Sequence, residues 1–191
     1  MPEPAHDHAN PWKTLSRRPV YENAWIAVRE DQVIRPDGAA GIYGVVHFKN
    51  VAVGVLPVDE EGHIWLVGQY RYTLDVYSWE IPEGAGAPGE TCEETARREL
   101  REETGLSAGH IEFVLSAHLS NSVSDEIAYI FRATELRPGA SAPDGTERLR
   151  VRRVEWAEAW DMLTRGEITD SMSVIALLHE AVRRGQSIAK M

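Results

Sequence analysis

Two stretches near the start of the chain alternate apolar and polar positions in the manner of half-buried strands. They are VYENAWIAVREDQVIRP (residues 20–36) and GIYGVVHFKNVAVGVLPVD (residues 41–59), parted by the turn pair Asp37-Gly38. Together they predict a hairpin that leads into a main sheet. HIWLVGQYRY and VYSWEIP continue the strand pattern until Pro82 interrupts it. The period then changes. Residues from about Thr91 to Thr104 predict a charged helix, after which HIEFVLSAHLS and EIAYIFRATEL read as strands again. Beyond the loop RPGASAPDGTE, one more strand, RLRVRRVEW, precedes two helices predicted at about Ala157 to Arg165 and Ser171 to Arg184. Trp156 and Trp160, and Val174, Leu177 and Leu178, recur at helical spacing and are assigned to packing. No internal repeat is evident. Strands, a helix, more strands and terminal helices predict an α+β protein with a mixed sheet covered on both faces.

Residues 1–16 lack any period and are rich in Pro, His and Asn, which predicts a flexible arm. His6 and His8 lack a fixed third ligand there and specify no metal geometry. The expected division is an arm at 1–16, a hairpin at 17–40 and the main domain at 41–191. In 191 residues, 30 Asp and Glu outweigh 20 Lys and Arg, and the net charge of −10 opposes broad binding to nucleic acid or to an anionic membrane. A single cysteine, Cys92, forms no internal disulfide. No apolar run reaches the length of a signal core or a membrane span, so the expectation is a soluble, cytoplasmic protein.

Chemistry concentrates in GAGAPGETCEETARRELREETGL, Gly84 to Leu106. Gly84, Gly86 and Gly89 spell G-x-G-x-x-G between a predicted strand and a helix, and Glu112 lies downstream, as in a dinucleotide-binding fingerprint. Two features argue against that reading. Pro88 removes a donor where a pyrophosphate needs one, and Glu90, Glu93 and Glu94 crowd the helix start with like charge. The helix has its own signals: Thr91 and Glu94 as a capping box, Gly105 as a left-handed cap, Leu106 packing back, and Ala96 with Leu100 as a narrow buried stripe. Glu99, Glu102 and Glu103 share another face and repel one another. Arg98 softens this at Glu102 and leaves Glu99 and Glu103 unexplained. A hard dication explains them, since Mg²⁺ prefers carboxylate oxygens, keeps several waters and is often completed by substrate phosphates.

This segment resembles the Nudix box of the Nudix hydrolases. Gly84, Glu90, Arg98, Glu99, Leu100, Glu102, Glu103, Gly105 and Leu106 fill its nine constrained positions over 23 residues without a gap. The resemblance implies a Nudix fold, a mixed sheet sandwiched between helices with the N-terminal β-hairpin as an extension. It also implies Mg²⁺, or Mn²⁺, held against a diphosphate. By position, Glu99 and Glu103 are metal ligands, Glu102 is ligand or base, the backbone carbonyl of Glu83 is a further ligand, and Glu90 with Arg98 forms an orienting ion pair.

Outside the box, VGQYRY, WEIPEG and GEITDSMSVIALL look like the ADP-ribose and nucleoside-diphosphate-sugar pyrophosphatases. That subgroup implies Glu147 as catalytic base, a homodimer that exchanges its N-terminal arm, and a nucleotide-sugar substrate such as ADP-ribose or an ADP- or GDP-sugar. Two departures bear on the substrate. Asn121 and Ser122 stand where ADP-ribose-specific members carry a proline, and Pro82-Glu83-Gly84 stands where they commonly read Pro-Ala-Gly. Arg71 is a candidate phosphate fork or a surface ion pair, and Trp79 and Tyr70 are candidate base-stacking rings or core aromatics. Glu80 and Glu126 are weaker candidates for base or sugar contacts. Alternatives are a Nudix hydrolase for dinucleoside polyphosphates or coenzyme A, and a non-catalytic nucleotide sensor. The chain lacks the upstream motif associated with the coenzyme A type, and it retains every box glutamate.

Overall fold

The computed structural model describes residues 9–139 and 149–186. Along these run β1 (Lys13–Glu22), β2 (Ile26–Ile34), β3 (Ala40–Phe48), β4 (Ala52–Pro57), β5 (Ile64–Arg71), β6 (Val76–Glu80) and β7 (Glu83–Ala85). There follow α1 (Cys92–Thr104), β8 (Leu106–His118), β9 (Ile127–Pro138), β10 (Arg150–Val154), α2 (Trp156–Thr164) and α3 (Ser171–Arg183). Contacts divide the chain into two units. One contains the described residues through Lys49 together with Ser120–Glu126, and the other contains Asn50–Leu119 and the described residues from Ile127 onward.

The first unit is an antiparallel sheet in the order β1-β2-β3. The expected hairpin is therefore joined by a third strand, and the unit ends at Lys49 rather than at residue 40. β1 begins at Lys13, inside the segment expected as an arm, and every one of its residues is exposed. Its strand form comes from the backbone ladder with β2, from Lys13↔Ile34 to Glu22↔Ala27, and not from a buried face. Asn23 makes the turn between them by accepting the N–H groups of Trp25 and Ile26, each at 2.8 Å. The segment Ser120–Glu126 docks on β3. Val46 N–H donates to the Val123 carbonyl at 2.9 Å, Tyr43 Oη donates to the Ser122 carbonyl at 2.7 Å, and the Asp125 carboxylate accepts from Phe48 N–H at 3.0 Å.

The second unit is built on the mixed sheet β7-β4-β9-β8, beside the antiparallel sheet β10-β5-β6. β4 and β9 run parallel, whereas β4 with β7 and β8 with β9 are antiparallel. Both faces of the mixed sheet are covered, because β4 and β9 send alternate residues to opposite sides. Val53, Val55, Phe131 and Ala133 pack with Ala96 and Leu100 of α1 and with Leu106. Leu56, Ala128 and Ile130 pack with Met162 and Leu163 of α2 and with Met172 and Leu177 of α3. Each of the larger of these, the Val, Leu, Ile, Phe and Met side chains, contributes roughly 1.5–3 kcal/mol by its burial. This is the α/β/α sandwich expected from the sequence, with α1 fastened to one side and α2 and α3 to the other by a strand pair common to both cores. Among the described residues, no helix is long and apolar enough to cross a membrane.

Candidate active site

The ends of α1 are fixed by local chemistry. The Thr91 hydroxyl accepts Glu94 N–H at 3.2 Å, the Glu94 carboxylate accepts Thr91 N–H at 2.8 Å, and Gly105 closes the helix at φ 72° with its N–H on the Arg101 carbonyl at 2.9 Å. Ala96 and Leu100 face the core and are fully buried. That anchoring sets the rotation of the helix, and with it the positions of the remaining side chains.

Arg98 is the hub of the site. Nε and Nη2 grip Glu90 at 2.9 and 3.1 Å, Nη2 also reaches the Ala85 carbonyl at 3.0 Å, and Nη1 donates to Glu99 at 2.6 Å and to Glu102 at 3.0 Å. Glu90 also accepts Ala87 N–H at 3.2 Å and the Thr95 hydroxyl at 2.9 Å. The Arg98 guanidinium first, then Ala87 N–H, hold the Glu90 carboxyl down at about 2, below its ordinary 4.5.

Glu99 and Glu103 are buried, at 8% and 3% exposure. Glu99 lies against Gly84, where an added Cβ would overlap its carboxylate, so the first glycine of the segment makes room for an acid. Glu103 accepts the backbone N–H of Glu83 at 3.0 Å. Strand β7 and helix α1 thus meet through two carboxylates at the mouth of the glycine bend.

Behind this bend lies a second polar cluster. Arg71 donates through Nε and Nη2 to Glu80, at 2.9 and 2.5 Å, and through Nη2 to Glu83 at 2.5 Å. Glu80 is buried to 2% exposure and also accepts from Gln69 at 3.3 Å. Glu83 Oε2 is buried without a hydrogen-bond partner. Burial, then the neighbouring Asp170 and Glu80, push the Glu83 carboxyl well above the usual range.

The family model described as NUDIX domain matches residues 48–176, well over half of the 191 residues. The chain belongs to the Nudix family. A second model, nucleoside diphosphate sugar hydrolase N-terminal domain, matches residues 12–46, which include β1, β2 and most of β3. The chain is 34% identical over 172 residues to a protein named ADP-ribose pyrophosphatase from Mycobacterium tuberculosis, covering 87% of this chain and 82% of the relative. It is 32% identical over 167 residues to a protein of the same name from Bacillus subtilis, covering 86% and 90%. A solved structure titled ADP compounds hydrolase superposes with a TM-score of 0.82 at 23% identity, covering 92% of this chain and 97% of the other, and shares the fold.

Of the candidates chosen from sequence, the Nudix fold brings together Glu83, Glu90, Arg98, Glu99, Glu102 and Glu103, with Arg71 and Glu80 behind them. Glu80 does not reach a ligand-facing surface, because its carboxylate is buried in the Arg71 pair. Arg71 is a partly buried ion-pair residue whose Nε and Nη2 are committed to acids. Trp79 is half-buried, with the Arg152 guanidinium 4.9 Å from its ring centre and the Tyr77 ring edge-on at 5.6 Å, so packing accounts for it. Tyr70 is exposed, its hydroxyl bound to Asp75, and by strand alternation it points to the opposite side of β5 from Arg71. Glu126 belongs to the N-terminal unit. Glu147 lies outside the described residues. The sequence reading missed Thr95, which steadies Glu90, and Asp170 and Ser173 at the start of α3. Asp-x-x-Ser before an apolar helix is a capping signal that marks the latter pair.

The donor set fits a hard dication. The charged acceptors of the box, Glu90, Glu99, Glu102 and Glu103, are all carboxylates, with no thiolate or imidazole among the proposed ligands. Among the described residues, no three acidic, His or Cys side chains already converge in a metal cage.

Two outcomes follow from this geometry. Gly84→Ala should displace Glu99 and weaken Mn²⁺ binding at least tenfold, with a far-UV circular dichroism spectrum unchanged; calorimetric titration reads it, and unchanged affinity contradicts the cradle. The fold favours ionised Glu90, so the stabilisation from its pairing is complete above pH 4.5 and disappears as pH falls through about 2. Carboxyl-carbon NMR should place its midpoint near that lower value in the parent, and back near the ordinary value in Arg98→Ala.

Proposed function

We propose that this protein is a metal-dependent pyrophosphohydrolase that cleaves the diphosphate of a nucleoside diphosphate sugar to a nucleoside monophosphate and a sugar phosphate. The observation that carries the reading is the pair Glu99 and Glu103, buried against Gly84 and the Glu83 amide with Arg98 as hub. The matched N-terminal domain and the names of the two bacterial relatives support the choice of substrate class.

Glu99, Glu102, Glu103 and the Glu83 backbone carbonyl would hold Mg²⁺, or Mn²⁺. When bound, such an ion neutralises a doubly anionic diphosphate and lowers the pKa of coordinated water. The chain supplies the rest. Arg98 orients the carboxylates, and its pairing with Glu90 fixes the helix against the bend. Glu147 is the proposed base that takes the proton from attacking water, so that one P–O bond forms as the bridging P–O bond breaks. A cytoplasmic location is part of the same proposal, and the single cysteine, which can form no internal disulfide, supports it.

The N-terminal unit exposes Leu15, Val20, Tyr21, Trp25 and Ile42, an unusual density of large apolar groups for one small sheet, and this supports a homodimer formed through it. Light scattering should give twice the chain mass, falling to the chain mass in the double variant Tyr21→Ser with Trp25→Ser.

A phosphate-release panel of nucleotide sugars, dinucleoside polyphosphates and coenzyme A, with Mg²⁺ and with Mn²⁺, tests the reaction. Nucleotide sugars should be hydrolysed only with metal. Glu103→Gln and Glu147→Gln should each lower kcat by about 10²–10⁴-fold, the range of a positioned acid or base. Turnover of coenzyme A alone would overturn the substrate class, and full activity in Glu147→Gln would remove that residue from the mechanism.

A further inference from the structure

The segment between β6 and β7, Ile81-Pro82, carries the backbone that faces Glu103, and its own hydrogen bonds show what holds it. Val55 N–H donates to the Pro82 carbonyl at 2.9 Å. Ile81 is fully buried, and its N–H donates to the hydroxyl of Ser173, a fully buried residue in the first turn of α3, at 2.9 Å. Ser173 is held in turn, since its backbone N–H donates to the helix-capping carboxylate of Asp170 at 2.8 Å. The same Asp170 carboxylate is close enough to act electrostatically on Glu83 and Arg71. One residue beyond Pro82, whose ring fixes its φ, Glu83 N–H holds Glu103 at 3.0 Å.

We infer that the first turn of α3, through the Ser173 hydroxyl and its Asp170 cap, positions the carboxylate of Glu103 and the backbone of Glu83 for the dication. The relay is short and stiff. From the Ser173 hydroxyl it passes to Ile81 N–H, along Pro82 to Glu83 N–H, and from there to Glu103. Neither α3 residue is among the groups proposed to hold the dication, so both are assigned as positioning residues. Without the hydroxyl, the Ile81 amide has no acceptor in a buried place and the segment must shift to find one. A shift there moves two proposed metal-facing groups together. Partners that orient ligands from behind in this way typically govern affinity by about 10–100-fold. The inference rests on the metal-dependent reading given above and assigns it a part of the chain remote from the box.

Mn²⁺ binding to the full-length protein, measured by electron paramagnetic resonance of the free ion, tests it without recourse to activity. Ser173→Ala and Asp170→Ala should each raise the Kd for Mn²⁺ about tenfold. The Mn²⁺ concentration for half-maximal hydrolysis should rise in step, while kcat at saturating metal stays within twofold of the parent. In a Glu103→Gln background, Ser173→Ala should add clearly less than its tenfold effect in the parent, because one of the two groups it positions is already altered. A Kd within twofold of the parent in both single variants overturns the inference, as does an undiminished tenfold loss in the Glu103→Gln background, which marks general loosening. Should Ser173→Ala fail to fold, Ser173→Cys keeps the shape with a weak acceptor and is held to the same outcomes. A parent that takes up no Mn²⁺ removes the metal-dependent reading and this inference with it. A parent that binds, with variants that bind equally well, removes only the inference.

Discussion

Arg98 spans Glu90, Glu99, Glu102 and the Ala85 carbonyl, and the rest of the site depends on that one guanidinium. Three carboxylates on one helical turn oppose folding. Two unit charges 4 Å apart cost about 1 kcal/mol in water and about 4 kcal/mol at an effective dielectric constant near 20, and Glu99 and Glu103 are buried where screening is weak. A planar fork with fixed donors answers this better than a point charge, because it sets orientation as well as neutralising charge. One edge locks to Glu90 at the start of the box, and the remaining terminal nitrogen bridges Glu99 and Glu102. Folding therefore fixes the directions of Glu99 and Glu102 rather than leaving them to turn freely.

The box helix was legible because its determinants are local. Thr91 with Glu94, Gly105, and the Ala96 and Leu100 stripe lie within a few turns and form the contacts their spacing predicts. The Glu90 to Arg98 pair joins residues eight apart, a separation that a single helix with a short lead-in brings together. β1 shows the opposite case. Its residues bury nothing, so no apolar period marks it, and its form depends on a partner strand that periodicity does not reveal.

The pairing of Glu80 with Arg71 was not legible for a related reason. The two residues sit on neighbouring strands of one antiparallel pair, and only the strand register turns two separate charges into a buried ion pair. Ser173 lies further still from what it serves, since its hydroxyl and the Ile81 amide are 92 positions apart. Long-range polar contacts of this kind leave no trace in a local window. The cap signal at Asp170 says that a helix begins there, and says nothing of which backbone amide the next serine will receive.

The three glycines of the bend explain why a dinucleotide-like pattern appeared in a chain whose bend is built for other ends. Gly84 is required by the Glu99 carboxylate, which occupies the space a side chain would fill. Gly86 has the Val51 side chain 3.1 Å from where its Cβ would stand, so a larger residue would press on the neighbouring β-strand entry. Gly89 adopts φ +85° before the helix and has open space around it, so backbone conformation alone selects it. Three unrelated constraints thus produce one spacing. In a phosphate cradle the glycines would clear a path for a ligand's anion. Here the first of them clears it for the protein's own carboxylate, which places negative charge at the mouth of the bend and leaves a cation as the natural go-between for any diphosphate that approaches.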